Sequence, residues 1–418
     1  MNVLIIGNGI AGNSAAFAIR EVSKEIAITV LSEETPPLYS ACVLPNYLAG
    51  DIDRDKVFLM TQQHYSQRNV DIILGQKVTE IDVRGNNVLL DTHIIHFDKL
   101  IIATGGEVVI PPIEGLHKRG ILKLKSLTDA DEIADFPKRR AVIIGSGFIG
   151  LETAIALRKR GWEVAIIESL SWILPRVFDE KPSQLLRRIV EDHGIRVFVG
   201  EKVKRIRGDV KVEGVVTDRR EVECNMVIIA TGMRPRTELA RQAGLKVGEL
   251  GGIWVDKQMM TSAENIYACG DCVEAKDAIF GTPTLSLLWH NAKEQGIVAG
   301  LNCAGMRRGY PGSQDISGID IFGTFAVSVG RTMSSLKDDN IEIIERGYQR
   351  DYRRLLIADG RLVGVQAIGR NKYVGILLGV IRRGSDIHRT KEAAILSKRF
   401  DILQLLGITK QMSLGELS

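Results

Sequence analysis

Residues 2–12 read NVLIIGNGIAG, and residues 140–150 read RAVIIGSGFIG. Each is a buried-strand run broken at once by Gly-x-Gly-x-x-Gly, and a helix-forming stretch follows each. In the first copy the strand over residues 2–6 passes through Gly7, Gly9 and Gly12 into a helix over 13 to about 23. A β-rich run over 27–31 then ends in Ser32-Glu33-Glu34. In the second copy the strand over 140–144 passes through Gly145, Gly147 and Gly150 into a helix over 151 to about 160. Gly161 caps that helix, and a strand over 163–167 ends in Glu168. The first glycine of such a turn makes the bend, and the second lets backbone N–H groups approach a pyrophosphate. The third lets the helix pack on the strand, and the helix N-terminus adds its positive dipole. Glu33, 21 residues after Gly12, stands where a carboxylate accepts from ribose hydroxyls, and Glu168 stands in the same place in the second copy. Two complete units imply two dinucleotides, and the obvious pair is a flavin and a nicotinamide. An acid at 168 favours NAD over NADP, because a carboxylate repels a 2′-phosphate. Arg176 nearby leaves NADP open.

Two further segments repeat. LIIATG over 100–105 and VIIATG over 227–232 are each a strand run ending in Ala-Thr-Gly, at similar distances after their glycine turns. Carboxyl ends of strands are where open α/β sheets hold ligands. NIYACGD over 265–271 is another strand run, ending in Gly270-Asp271, where a carboxylate can accept from a polyol.

The bulk numbers narrow the class. The chain has 418 residues, 45% hydrophobic and 25% charged, as expected of a globular protein of two or three domains. A net charge of +4 points to neither nucleic acid nor an anionic membrane. From Met306 onward there are 18 Lys plus Arg against 12 Asp plus Glu, a basic asymmetry that suits an acidic protein partner or a merely solvated surface. No apolar run is long enough to span a bilayer. The opening residues lack a basic region and a cleavage site, so a signal peptide is not expected. Five cysteines, Cys42, Cys224, Cys269, Cys272 and Cys303, argue against a disulfide framework and for a reducing cytoplasm. An iron–sulfur cluster needs four clustered thiolates, which this arrangement lacks, and no metal site is expected. Cys269-x-x-Cys272 could be a redox pair or half a zinc site, but two thiols make a poor metal site, and both read as packing residues.

Taken together, the first glycine turn with Glu33, the Ala-Thr-Gly pair, the second turn running from Gly145 to Glu152, and Gly270-Asp271 resemble the two-dinucleotide flavoprotein superfamily. That superfamily includes the pyridine nucleotide–disulfide oxidoreductases, and the resemblance covers essentially the whole chain. It implies an α/β fold of two Rossmann-like, three-layer dinucleotide-binding domains, one inserted in the other, followed by an α+β C-terminal interface domain. The FAD-binding domain would comprise residues 1–112 and 249–318, the NAD-binding domain 113–248 and the interface domain 319–418. By the same resemblance FAD falls to Gly7, Gly9, Ile10, Ala11, Gly12, Glu33, Val78, Ala103, Thr104, Gly105, Gly270 and Asp271, the last on the ribityl chain. NAD(H) falls to Gly145, Gly147, Phe148, Ile149, Gly150, Glu168, Arg176 and Gly232, with Glu152 near the nicotinamide.

The last hundred residues read as strands over 322–329, 341–348, 353–357 and 362–368, with Asp359-Gly360 a hairpin turn and a helix over about 371–383. This stretch is similar to the interface domain of ferredoxin- and rubredoxin-reductase-type members, which supports dimerisation or covers the flavin. The tail over 391–406 puts Leu396, Phe400 and Leu403 on one helical face, expected to pack against protein rather than membrane.

Residues 36–50, PPLYSACVLPNYLAG, carry the remaining question. Ser40-Ala41-Cys42-Val43-Leu44-Pro45 resembles the single-cysteine subgroup of coenzyme A-disulfide reductases, NADH oxidases and NADH peroxidases, whose cysteine faces the flavin. Two departures stand against the carry-over. Ile10 occupies the place of the peroxidase histidine, and Val43 that of the subgroup's glycine. The stretch equally resembles flavin regions of nitrite reductases, which lack a catalytic thiol there. The reading that follows is an FAD-dependent NAD(H):acceptor oxidoreductase exchanging electrons with an iron–sulfur protein or subunit. It would work as a homodimer or within a larger complex, as in tungsten aldehyde oxidoreductase. The alternative is a coenzyme A-disulfide reductase or NADH oxidase using Cys42.

Overall fold

The computed structural model describes residues 1–91, 93–336, 340–348, 351–369 and 374–384. The amphipathic tail expected over 391–406 lies outside the described residues. The chain divides into two compact units, one of Met1–Leu170 with Gly194–Gln314, the other of Ser171–His193 with the described residues from Asp315 onward.

The first unit is built on two five-stranded parallel sheets of the same design. In one, the order is Ile266–Ala268, Lys99–Ile102, Asn2–Ile6, Ala27–Leu31, Asp71–Ile73. In the other it is Arg196–Val199, Glu163–Glu168, Arg140–Ile144, Met226–Ile229, Ile121–Lys123. All their pairings are parallel. Each first strand lies mid-sheet between the strand that follows its helix and the strand that ends in Ala-Thr-Gly. Chain order thus reverses at its carboxyl end, which is where open α/β sheets form a ligand crevice. The strands are short apolar runs because both faces are covered: Val3, Leu4 and Ile5, like Val142 and Ile143, are buried.

The helices after the two turns span Ile10–Val22 and Phe148–Lys159, each starting three residues earlier than the sequence pattern predicts. The reason is that Gly9 and Gly147 are the N-caps, so the last residues of each motif are already helical. Gly161, with φ +78°, ends the second helix as expected. Helix Ile10–Val22 lies against helix Trp289–Cys303 at unusually close range. A Cβ on Gly296 would stand 2.2 Å from the Ala11 carbonyl oxygen, and one on Gly300 would stand 2.3 Å from that of Ala15. Only glycine permits that approach.

The second unit is an antiparallel sheet ordered Ile316–Ile321, Thr324–Gly330, Arg361–Ile368, Asp351–Ala358, Ile341–Tyr348, with helix Val374–Arg383 packed on it. The Asp359-Gly360 hairpin is present, with φ of +49° and +72° as a type I′ turn requires. The strand expected to open at Phe322 instead opens at Thr324. Phe322 and Gly323 form a second positive-φ turn, pairing the strand with an additional one over Ile316–Ile321. Helix Glu180–Asp192, which lies in sequence between strands Glu163–Glu168 and Arg196–Val199, belongs to this unit. It packs on strands Ile316–Ile321 and Arg361–Ile368. Its N-cap, Asp179, is buried there. Asp179 N–H donates to Gln366 Oε1 at 3.0 Å, and Arg354 Nε lies 2.9 Å from Asp179 Oδ2.

Candidate functional site

Both glycine turns are assembled by the same contacts. Gly7 N–H donates to Leu31 O at 2.8 Å, and Gly145 N–H donates to Ile167 O at 2.8 Å. Gly7 has φ +119° and Gly145 φ +103°. A Cβ on Gly7 would fall 2.1 Å from the Ala103 carbonyl oxygen, and one on Gly145 would fall 2.3 Å from that of Ala230. The alanine of each Ala-Thr-Gly segment therefore backs the first glycine of its own turn, which explains why the two motifs recur together. The third glycines close on the first, since a Cβ on Gly12 or Gly150 would meet the carbonyl oxygen of Gly7 or Gly145 at 2.1 and 2.2 Å. The middle glycines differ. Gly9 and Gly147 have nothing within 4 Å of a built Cβ, and so have Gly105 and Gly232. At Gly9 and Gly147 this leaves open space over backbone N–H groups at a helix start, a geometry that fits a pyrophosphate.

The first turn gathers most of the residues assigned to it. A Cβ on Gly270 (φ +83°) would lie 2.8 Å from Ala11 Cβ, which sets Asp271 beside the start of helix Ile10–Val22. Gly270 N–H is held by Gln295 Oε1 at 2.8 Å, from helix Trp289–Cys303. Thr104 Oγ1 donates to Arg236 O at 2.8 Å. Ile10 and Thr104 are half-buried and Ala103 is buried. Glu33, exposed at the end of its strand, pairs through Oε1 with Arg236, a partner no sequence signal indicated. Val78 is buried in the core at the start of strand Val78–Asp82. Beneath the turn, Asn8 Oδ1 accepts from the buried Tyr65 hydroxyl at 2.9 Å and from Asn13 Nδ2 at 2.9 Å.

The second turn holds its acid differently. Glu168 is buried, and its Oε2 accepts from both Ser146 N–H (2.8 Å) and Ser146 Oγ (2.7 Å). Its Oε1 accepts from Leu170 N–H (2.9 Å) and Ser169 Oγ (3.3 Å). A carboxylate offers about four lone-pair positions, so this acid is already engaged in shaping the turn. Phe148 and Ile149 are half-buried at the helix start. Arg176 is exposed and belongs to the other compact unit.

Cys42 is exposed on the short turn Ala41–Val43 that leads into helix Leu44–Ala49. That helix packs on helices Leu127–Ala134 and Phe148–Lys159. The protein packed around the thiol pushes its pKa up. The Glu152 and Asp271 carboxylates add to that rise, and Lys125 opposes it. Cys42 is thus the point where Glu152, on helix Phe148–Lys159, and Asp271, after Gly270, act on one group. Glu152 is pushed up to about 7 by burial alone, and it makes no hydrogen bond or ion pair among the described residues. Asp271 is also raised by burial, against the pull of Lys125. Lys125 was not singled out by any motif; only the fold brings it here.

The other four cysteines are fully buried. Cys272 Sγ donates to Cys269 O and Ile102 O, and burial pushes Cys272 up to about 11 and Cys224 and Cys303 up to about 12. They behave as packing residues. Among the described residues no group of three or more His, Cys, Asp or Glu is placed to hold a metal, and no helix is long and apolar enough to cross a membrane.

Comparison with known proteins agrees with this geometry. The family described as pyridine nucleotide-disulphide oxidoreductase matches residues 1–296. An NADH oxidase of Methanocaldococcus jannaschii is 34% identical over 398 residues, covering 88% of each chain. The structure of an NAD-dependent persulfide reductase from A. fulgidus superposes with a TM-score of 0.89 at 32% identity, covering 96% of this chain and 80% of that one. An NADH:rubredoxin oxidoreductase from Clostridium acetobutylicum superposes with a TM-score of 0.75 at 25% identity, covering 93% and 96%. The chain belongs to the pyridine nucleotide-disulphide oxidoreductase family, whose members use FAD and NAD(P)H, and it is an NAD(P)H-dependent oxidoreductase.

Proposed function

We propose that the enzyme oxidises NADH and delivers the electrons to a protein-borne redox centre, an iron–sulfur protein or a subunit of a larger oxidoreductase. Residues 1–112 and 249–318 would hold FAD, 113–248 NAD(H), and 319–418 would form the interface domain of a homodimer or a hetero-oligomeric complex in the cytoplasm. FAD, held at the first glycine turn, would supply the hydride-accepting and electron-donating chemistry between NADH and the acceptor. The chain's own residues orient and enclose. The open faces of Gly9 and Gly147 receive the two pyrophosphates, Asp271 anchors a polyol hydroxyl, and the free oxygen of Glu33 accepts from a ribose. Glu152, near neutrality in its titration, can hold or release a proton beside the nicotinamide.

The observation that carries the choice of acceptor is the setting of Cys42. Thiol chemistry runs on the thiolate, and here the surrounding protein and the Glu152 and Asp271 carboxylates oppose the thiolate, although the side chain is exposed, with Lys125 the cation acting against them. The experiment is Cys42→Ser, assayed for NADH-dependent reduction of methyl viologen and of a rubredoxin-type acceptor. Activity is expected to persist. Its loss, or efficient reduction of coenzyme A disulfide by the wild type, would favour the second reading, in which Cys42 itself receives electrons and passes them to a sulfur substrate. That second reading draws on the exposure of Cys42 and on the A. fulgidus relative being a persulfide reductase.

A further inference from the structure

Cys42 sits between two tyrosines in sequence, and both reach the same helix. The Tyr39 hydroxyl accepts Leu127 N–H at 3.1 Å and donates to Glu34 Oε2 at 2.7 Å. The Tyr47 hydroxyl donates to Asp131 Oδ1 at 2.9 Å, and Arg54 closes on the same carboxylate through Nε (2.9 Å) and Nη2 (2.8 Å). Leu127 and Asp131 are four residues apart on helix Leu127–Ala134, so they face the same side one turn apart. The start of this helix is itself rigid. Ser126 Oγ accepts Asp129 N–H, while Asp129 Oδ2 accepts the N–H groups of Ser126 and Lys125 at 2.8 and 2.9 Å. On the opposite side, Lys159 pairs with Asp51 at 2.6 Å, tying the end of the Cys42 segment to the helix that carries Glu152.

Tyrosines in a loop usually contribute packing, and a single hydroxyl bond adds little to stability. What distinguishes these two is their placement. They bracket the thiol at both ends and anchor it to the helix whose first turn is preceded by Lys125. We propose that Tyr39 and Tyr47 are positioning residues for Cys42, their hydroxyls fixing the Ala41–Val43 turn against helix Leu127–Ala134 and so setting the thiol's station among Glu152, Asp271 and Lys125. The charged groups facing the bracket are Glu34 and Asp129 at Tyr39, and Asp131, Arg54 and Asp135 at Tyr47. With both hydroxyls in place the exposed thiol is held where the Glu152 and Asp271 carboxylates act on it. Without them the turn moves away from those carboxylates, and the thiolate forms at lower pH.

The test uses the FAD-loaded, full-length enzyme and needs no turnover. Tyr39→Phe, Tyr47→Phe and the double variant are alkylated with iodoacetamide across a pH series, with Cys42 followed by peptide mass spectrometry. The other four cysteines are buried and serve as unreactive internal controls. In the double variant the midpoint is expected to fall by about one unit, so that alkylation near pH ~7 rises roughly tenfold, with single variants between. Thermal melting is measured alongside. A lowered melting temperature with an unmoved midpoint would mean the hydroxyls only pack, and overturns the proposal, as does a midpoint that rises. Should the double variant fail to fold, the single variants decide on the same criterion. Because the readout is thiol titration, its failure leaves the choice of electron acceptor untouched.

Discussion

Glu168 Oε2 accepts both the backbone N–H and the hydroxyl of Ser146, at 2.8 and 2.7 Å, so the second glycine turn is clamped by the acid at the end of the next strand. The sequence pattern assigns this acid to a ribose. The structure shows it first as the partner of four protein donors.

Removing that clamp should be felt twice. Glu168→Ala leaves buried donors unpaired, a cost of about 1–3 kcal/mol each way such groups are measured, and it loosens the turn. NADH KM is expected to rise well before kcat falls, and the preference for NADH over NADPH is expected to shrink. Steady-state kinetics with both nucleotides check this; unchanged KM and unchanged preference would remove Glu168 from the nucleotide site.

The two turns can be separated by one methyl group each. Gly7→Ala and Gly145→Ala both place a Cβ about 2 Å from a carbonyl oxygen, at φ values that disfavour any side chain. Gly7→Ala is expected to purify with little flavin, read from the visible flavin band relative to protein absorbance. Gly145→Ala is expected to retain flavin but bind NADH poorly, read by fluorescence titration. The reverse pattern would exchange the two cofactors between the turns.

Glu152 gives a signed pH dependence. Its folded pKa of about 7 lies above the ordinary 4.5, so between those values the folded protein holds a proton that the unfolded chain has released. Stability therefore falls as pH rises through that window. Glu152→Gln removes the effect. Its melting temperature, measured without nicotinamide, should gain on the wild type from about pH 5 to about pH 8. A constant difference across the series would show that Glu152 titrates as an ordinary carboxyl.

The helix pair under the first turn is equally exacting. Gly296→Ala and Gly300→Ala drive a methyl into the backbone of Ala11 and Ala15. Each is expected to destabilise by at least the ~1–3 kcal/mol of core overpacking, and Gly296→Ala, nearer Asp271's neighbour Ala11, should also weaken flavin retention. Denaturant melts and the flavin-to-protein absorbance ratio are the measurements.

Much of this was written in local pattern. Each glycine turn with its flanking strands is fixed by contacts among near neighbours, and Asp359-Gly360 tolerates positive φ in a way the residue types announce. What escaped depends on distant chain. Lys125 carries no motif, and its proximity to Cys42 and Asp271 arises only once three helices pack together. Arg236 reaches Glu33 across more than two hundred residues of sequence. Gly296 and Gly300 look like ordinary helix-weakening glycines until helix Ile10–Val22 is laid against them. Phe322 misled because an aromatic residue favours strand, whereas Gly323 beside it favours a turn, and pairing with Ile316–Ile321 decided for the turn.

Helix Glu180–Asp192 buries Leu186, Ile189 and Val190 and packs on strand Arg361–Ile368, whose residues follow it about 170 positions later. On a ribosome adding ~5–20 residues per second, that strand emerges roughly 10–30 s after the helix. For that interval the nascent chain carries an apolar helix face lacking one of its native neighbours and an Asp179 without its Arg354 partner. The moment of greatest exposure to chaperones, or to aggregation, is thus set by the order of synthesis rather than by any weakness in the finished enzyme.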